Sequence, residues 1–281
     1  MNLFKGCLIA CDVDGTLLYD GKICERNIEK IKYFQSEGGI FSLATGRSAG
    51  AVNDVLEVLP DISPSVMANG CMIYDYKNDK ILFEYRLKED ERFIAKEVLA
   101  NFPTVGIEIH SGKHVLTLNR NFETDDHQYY EKIDILEVDF ETATKYNWNK
   151  VLYAPENSND YKALKEFLEP YGKMAHFCGT KVFFGNRERH YYEQIPYGQS
   201  KQSGIIKLQE FMNIKKGCSY AIGDFYNDLE MITSADIGAT LCTSPDDIKS
   251  EADVVVGNVQ NGAVADFIEY LINLRKDKLY G

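Results

Sequence analysis

Asp12 and Asp14 stand one residue apart in the stretch CDVDGTLLYD, directly after the apolar run Leu8-Ile9-Ala10. Like charges at that spacing repel, and a desolvated carboxylate is costly unless it is paired or metal-bound. Either water solvates the pair at an ordinary turn, or a cation and a reaction require it. Similar polar groups follow other apolar runs: Thr45, Gly46 and Arg47 in LATGRS, Asn69 and Gly70 in MANG, and Asp224, Asn227 and Asp228 in GDFYND. Lys201 opens the helical pattern that precedes the last of these runs.

Each piece alone has an ordinary explanation. An Asp-x-Asp-Gly is commonly a solvated turn, Thr45 before a helix reads as an N-cap, and Lys201 reads as a surface lysine. Asp224 and Asp228 could simply favour the start of a following helix through its dipole. In an open parallel sheet, however, ligands bind outside the carboxyl ends of the strands. If the runs are neighbouring strands, one edge gathers four carboxylates, a hydroxyl and an ammonium, and independent ordinary explanations would have to coincide.

The elements that must position them follow from periodicity. CLIAC, IFSLA and SVMAN are short apolar runs of the kind that form buried parallel strands. Between them lie a helix over ERNIEKIKYFQ, with Ile28, Ile31 and Phe34 on one face and a stop at Gly38-Gly39, and a second from about Ser48 to Leu59. CMIYDY and KILFEY read as a hairpin. From about Leu87 the texture changes to paired strands such as EIHSGKHVL, mixed with helices such as NDYKALKEFLEP. Alternation returns near residue 190, with strands SYAIG, DIGAT and DVVVG and a closing helix over GAVADFIEYLINL. The expected fold is therefore α/β: a doubly wound, Rossmann-like parallel sheet over 1–86 and 190–281, interrupted by an α+β cap domain over 87–189.

Composition narrows the partners. With 281 residues and a formal charge of −12, the chain has no long basic cluster, which argues against nucleic acid or an anionic membrane as partner. No apolar stretch reaches the length of a membrane helix. Seven cysteines without a CxxC pair fit reduced thiols and a cytoplasmic location. His110 and His114 are four apart, but a Ser-Gly break between them reads as a hairpin rather than a helical metal pair. Arg187, Arg189 and His190 near the return of the cap read as a solvated charge run, with substrate contact the alternative.

DVDGTLL, ATGR, Lys201 and GDFYNDLEM occur in the order and approximate spacing of the four motifs of the haloacid dehalogenase-like phosphohydrolases. The long insertion, ANG at 68–70 and NGAVADFIEYL resemble the Cof-type sugar-phosphate phosphatase branch with a type-two cap. The resemblance implies a Mg²⁺-dependent phosphatase of small phosphorylated metabolites. It implies that Asp12 is a nucleophile forming an aspartyl-phosphate and that Asp14 is the general acid and base. Thr45 and Lys201 would hold phosphoryl oxygens, and Gly15, Gly46 and Asn227 would contact the phosphate. Asp12, Asp14 through its backbone carbonyl, Asp224 and Asp228 would provide the Mg²⁺ shell. Two departures stand out: Gln202 follows Lys201 where the branch usually has Gly, and TLCTSPDD replaces a Gly-Asn-Ala segment. A phosphomutase on the same fold and a non-catalytic metabolite-binding regulator are the alternative readings.

Overall fold

The computed structural model describes residues 2–62, 64–184 and 187–280, with side chains at 181–184 and 278–280 outside the description. In chain order, strands β1 (Leu8–Cys11) and β2 (Ile40–Leu43) come first. Strands β3 (Gly106–Ser111), β4 (His114–Asn119), β5 (Ile135–Glu137), β6 (Lys150–Ala154), β7 (Ala175–Phe184) and β8 (Arg187–Pro196) occupy the middle. The last three are β9 (Ser219–Gly223), β10 (Ile237–Leu241) and β11 (Val254–Val256).

The first and last groups form one parallel sheet in the order β11-β10-β9-β1-β2. Helices cover both of its faces, which is why β1 is apolar at every position. Ile9 and Cys11 pack with Phe34 of helix Glu25–Ser36 and with Phe267 and Leu271 of helix Ala263–Tyr280. Leu8 and Ala10 point the other way, to Ile205 and Leu208 of helix Lys201–Met212 and Met231 of helix Leu229–Ser234. The carboxyl ends of β1, β2 and β9 thus lie side by side, and the residues following each strand share one edge.

The middle strands form a separate mixed sheet in the order β5-β4-β3-β6-β8-β7. Its faces differ because side chains alternate along each strand. Ile107, Ile109, Val151, Tyr153 and Tyr192 pack against Ile94 and Val98 of helix Glu89–Asn101 and Leu164 of helix Ser158–Leu168. The alternate positions Glu108, His110, Lys150, Leu152, Tyr191 and Glu193 are also buried. Their polar face is closed over the edge of the parallel sheet: Lys150 Nζ donates to the Gly46 carbonyl at 2.7 Å, and Asn69 Nδ2 donates to Glu193.

Three expectations change. SVMAN does not extend the five-stranded sheet: Ser65–Met67 pairs antiparallel with Met72–Asp75, which pairs in turn with Lys80–Glu84. A single parallel bridge, Ala44 to Val66, ties it to the end of β2. The chain reverses because Ala68, Asn69 and Gly70 all adopt positive φ. The helix expected from Ser48 is shorter, spanning Asn53–Val58. Before it, Ser48–Ala51 form a turn, and the Arg47 guanidinium takes the Ala51 carbonyl at 2.8 Å, which removes that acceptor from a helical ladder. Finally, the six-stranded sheet runs through Pro196, past the expected return at residue 190, because Tyr191 and Tyr192 continue the two-faced alternation against β6 and β7. Residues 86–88 and 197–200 link the two sheets.

The hairpin at HSGKH forms as expected, turning at Gly112, with His110 buried and His114 exposed. All seven cysteines are free. Among the described residues no helix is long and apolar enough to cross a membrane.

Candidate active site

Asp12 follows β1 directly, with its amide donating to the Ile222 carbonyl of β9 at 2.9 Å. Lys201, at the start of its helix, is 1 % exposed and is no surface lysine. Its ammonium lies 2.7 Å from Asp12 Oδ1 and 2.6 Å from Asp228 Oδ1. The other Asp228 oxygen accepts the amides of Asp224 and Phe225 at 3.1 and 3.2 Å, which folds GDFYND back toward β1. Asp224 accepts the Thr16 hydroxyl at 2.9 Å. Carboxylate oxygens of Asp12, Asp224 and Asp228 all lie within 4.8 Å of one another, a hard oxygen donor set suited to a divalent cation.

The electrostatics follow from this crowding. Burial, and then the charge of Asp228, hold the Asp12 carboxyl up to about 7 against the pull of Lys201. Burial followed by Asp12 and Asp228 pushes Asp224 well above the usual carboxylate range. For Lys201, burial opposes the charged form, but Asp12 and Asp228 outweigh it and keep the ammonium protonated. One buried ammonium therefore faces three crowded carboxyl groups, and their mutual repulsion is what raises Asp12 and Asp224.

Gly15 has φ +86°, and a Cβ there would lie 2.7 Å from Asp224 Oδ2. The turn after β1 can approach this acidic group only because the residue lacks a side chain. Asp14 points away from the cluster. Its carboxylate takes a bidentate pair from Arg47, with Nε to Oδ2 at 2.9 Å and Nη2 to Oδ1 at 2.7 Å. Arg47 also touches Asp54 and, across the cleft at 3.8 Å, the cap residue Glu131. Thr45 caps no helix: its hydroxyl accepts the Arg47 amide at 3.1 Å, and it is 1 % exposed.

A single cleft is lined by Asp12, Asp14, Thr45, Gly46, Asn227, Lys201, Asp224 and Asp228. Of the nine residues that the resemblance implicates in the site, eight line this cleft and Gly15 lies one contact behind it, against Asp224, whereas Asn69, Gly70, Arg187, Arg189 and His190 are not part of the lining. The six-stranded sheet and helix Phe122–Glu131 complete the cleft with His110, His127, Glu131, Lys150, Leu152, Thr180, Tyr191 and Glu193. None of these was assigned a role from sequence, although polar residues at alternate positions in GIEIHS, KVLYA and HYYEQ signal a second buried face. Arg189 and Arg187 instead pair with Glu123 of helix Phe122–Glu131, and His190 is exposed beside Glu188 at 2.7 Å.

The model of the haloacid dehalogenase-like hydrolases matches residues 9–268. The 5-amino-6-(5-phospho-D-ribitylamino)uracil phosphatase YwtE of Bacillus subtilis is 28% identical, covering 94% of this chain and 98% of its own. The chloroplastic endoribonuclease YBEY of Arabidopsis thaliana is 26% identical over 94% of this chain, which spans only 46% of that longer protein. A crystal structure of a haloacid dehalogenase-like hydrolase from Bacteroides thetaiotaomicron superposes with a TM-score of 0.79 at 24% identity, covering 94% of this chain and 99% of the other.

Proposed function

This chain belongs to the haloacid dehalogenase-like hydrolases, and on that premise we propose that it is a Mg²⁺-dependent phosphatase of small phosphorylated metabolites, sugar phosphates foremost, working through an aspartyl-phosphate. The observation that carries the reading is the placement of Asp12 and Asp14 in one cleft with different surroundings. Asp12 is buried against an ammonium and two carboxylates. Asp14 sits at the mouth, oriented by Arg47. The phosphatase name of the Bacillus subtilis relative supports the same reaction class.

In the proposed sequence, a carboxylate oxygen of Asp12 attacks phosphorus, the bond to the leaving oxygen breaks, and Asp14 gives that oxygen its proton. Asp14 then takes a proton from water, which attacks the aspartyl-phosphate, and inorganic phosphate and free Asp12 result. Lys201 favours the ionised form of Asp12 and offers positive charge to the phosphoryl oxygens, while Thr45, the turn at Gly15 and Gly46, and Asn227 hold them in place. Arg47 fixes the direction of the Asp14 carboxylate. Asp12, Asp224 and Asp228, with the Asp14 carbonyl, would hold Mg²⁺, and the repulsion that raises Asp12 and Asp224 is what a cation there would relieve. When bound, the ion relieves carboxylate repulsion and neutralises phosphoryl charge. The organisation into a core and an inserted cap is part of the same proposal.

The test is phosphate release from 4-nitrophenyl phosphate. Activity is expected with Mg²⁺, to vanish with a chelator, and to fall at least ~10³-fold in Asp12→Asn. Full turnover by Asp12→Asn would remove Asp12 as the nucleophile.

A further inference from the structure

We propose that His110 and Tyr191 are specificity-determining residues that select a neutral, hydroxyl-bearing leaving group and turn away one carrying a second phosphate. This rests on the phosphatase reading above and adds the part of the substrate that reading leaves open.

Both residues lie on the polar face of the cap sheet, opposite Asp12 and Asp14 across the cleft. Strand register sets them among neighbours: His110 pairs with Lys150, and Tyr191 with Thr180. They are 1 % and 2 % exposed. Yet both ring nitrogens of His110, the Tyr191 hydroxyl and the Thr180 hydroxyl have no hydrogen-bond partner among the described residues. The Glu108 carboxylate lies 3.8 Å from His110 Nε2, beyond hydrogen-bonding reach. Buried polar atoms are nearly always paired, and leaving several unpaired in one place is costly. All three residues line the cleft, and hydroxyl groups of a ligand held there would supply the missing partners.

Charge decides which kind of ligand. Every cation lining the cleft already has a carboxylate: Lys150 with Glu193 at 2.8 Å, His127 with Glu108 at 2.7 Å, Arg47 with Asp14 at 2.7 Å and Lys201 with Asp12 at 2.7 Å. Glu131 adds a further negative charge at 3.1 Å from His127. A second phosphate would meet this wall with no uncommitted cation to receive it. Hydroxyl groups meet a better match. Burial, and then the charge of Lys150, keep the His110 ring neutral, with its pKa down to about 4, so it offers one donor and one acceptor. The Tyr191 and Thr180 hydroxyls do the same, and Leu152 beside them supplies an apolar surface for carbon-bound hydrogens.

The experiment measures kcat/KM of the full chain with Mg²⁺ on 4-nitrophenyl phosphate, on hexose, pentose and pentitol monophosphates, and on hexose 1,6-bisphosphate. The best polyol monophosphate is expected to exceed the aryl ester by at least about tenfold and the bisphosphate by about a hundredfold. Tyr191→Phe and His110→Leu are each expected to lower the polyol-to-aryl ratio about tenfold, and His110→Gln to recover part of it. The aryl ester or the bisphosphate emerging as best substrate would overturn the proposal. So would variants that melt like wild type but lower both esters equally. Phosphate release from no ester at all would instead overturn the phosphatase reading, and this proposal with it.

Discussion

His127 is enclosed by Glu108 at 2.7 Å and Glu131 at 3.1 Å. Burial favours its neutral form, but the two carboxylates outweigh that and raise its pKa from 6.5 to about 10. A folded-state pKa above the unfolded one means that the native protein binds the proton more tightly. The resulting stability is fully present below pH 6.5 and is lost as pH rises through about 10. The melting temperature of wild type should therefore exceed that of His127→Gln most clearly near pH 6, with the gap closing toward pH 10. A gap that stays constant across that range would show that His127 does not carry the charge. DDHQYYE offers the i,i+4 partner Glu131, but Glu108 comes from β3 and only folding brings it close. Asp12, Thr45, Lys201 and Asp224 were legible for the opposite reason. Each follows or precedes an apolar run, and the edge where such runs end is where a parallel sheet binds ligands.

At the scale of elements, the helix carrying Lys201 is seated against the turn at Gly70. A Cβ on Gly70 would fall 1.8 Å from the Ser200 carbonyl oxygen, and its φ is +95°. Gly204, one turn into the helix, would place its own Cβ 2.7 Å from the Gly70 Cα. At Gly70 backbone meets backbone, so no side chain there can yield. Gly70→Ala should cost about 2 kcal/mol or more in denaturant unfolding and, by displacing Lys201, lower phosphatase turnover as well. Wild-type stability and turnover in that variant would show that the turn and helix can separate freely. The strand β1 and the helices flanking it were readable because a strand buried on both faces has to be apolar throughout. The antiparallel turn of Ser65–Met67 was not, because positive φ at Ala68 is rare for alanine and carries no mark in the sequence. The Thr45 N-cap failed likewise, once Arg47 drew the Ala51 carbonyl out of the helix.

For the whole molecule, the cap meets the core through charged groups buried at the join. Lys150 reaches the Gly46 carbonyl at 2.7 Å and Glu193 at 2.8 Å, and Asn149 donates to Glu84 and to the Tyr85 carbonyl at 3.0 and 2.9 Å. Removing one partner of a buried pair leaves the other charge uncompensated. Lys150→Met should therefore destabilise by about 3 kcal/mol and speed limited proteolysis in the linking segments at 86–88 and 197–200. Cleavage at the wild-type rate would show that these contacts do not hold the cap down. The change of texture made the switch from parallel to mixed strand pairing legible, but the packing of the six-stranded sheet over the site was not, since that depends on which face each strand turns inward. The two faces of the cap sheet carry a consequence for how such an enzyme can diversify. Residues that hold the cap together and residues that meet the leaving group alternate along the same strands, Val151 beside Leu152 and Tyr192 beside Tyr191. Apart from the buried Lys150–Glu193 pair, mutation at every second codon can therefore explore new chemistry while the intervening codons keep the domain folded. A library confined to His110, Leu152 and Tyr191 should yield altered substrate range with few losses to misfolding, whereas one confined to Ile109, Val151 and Tyr192 should yield mostly insoluble protein.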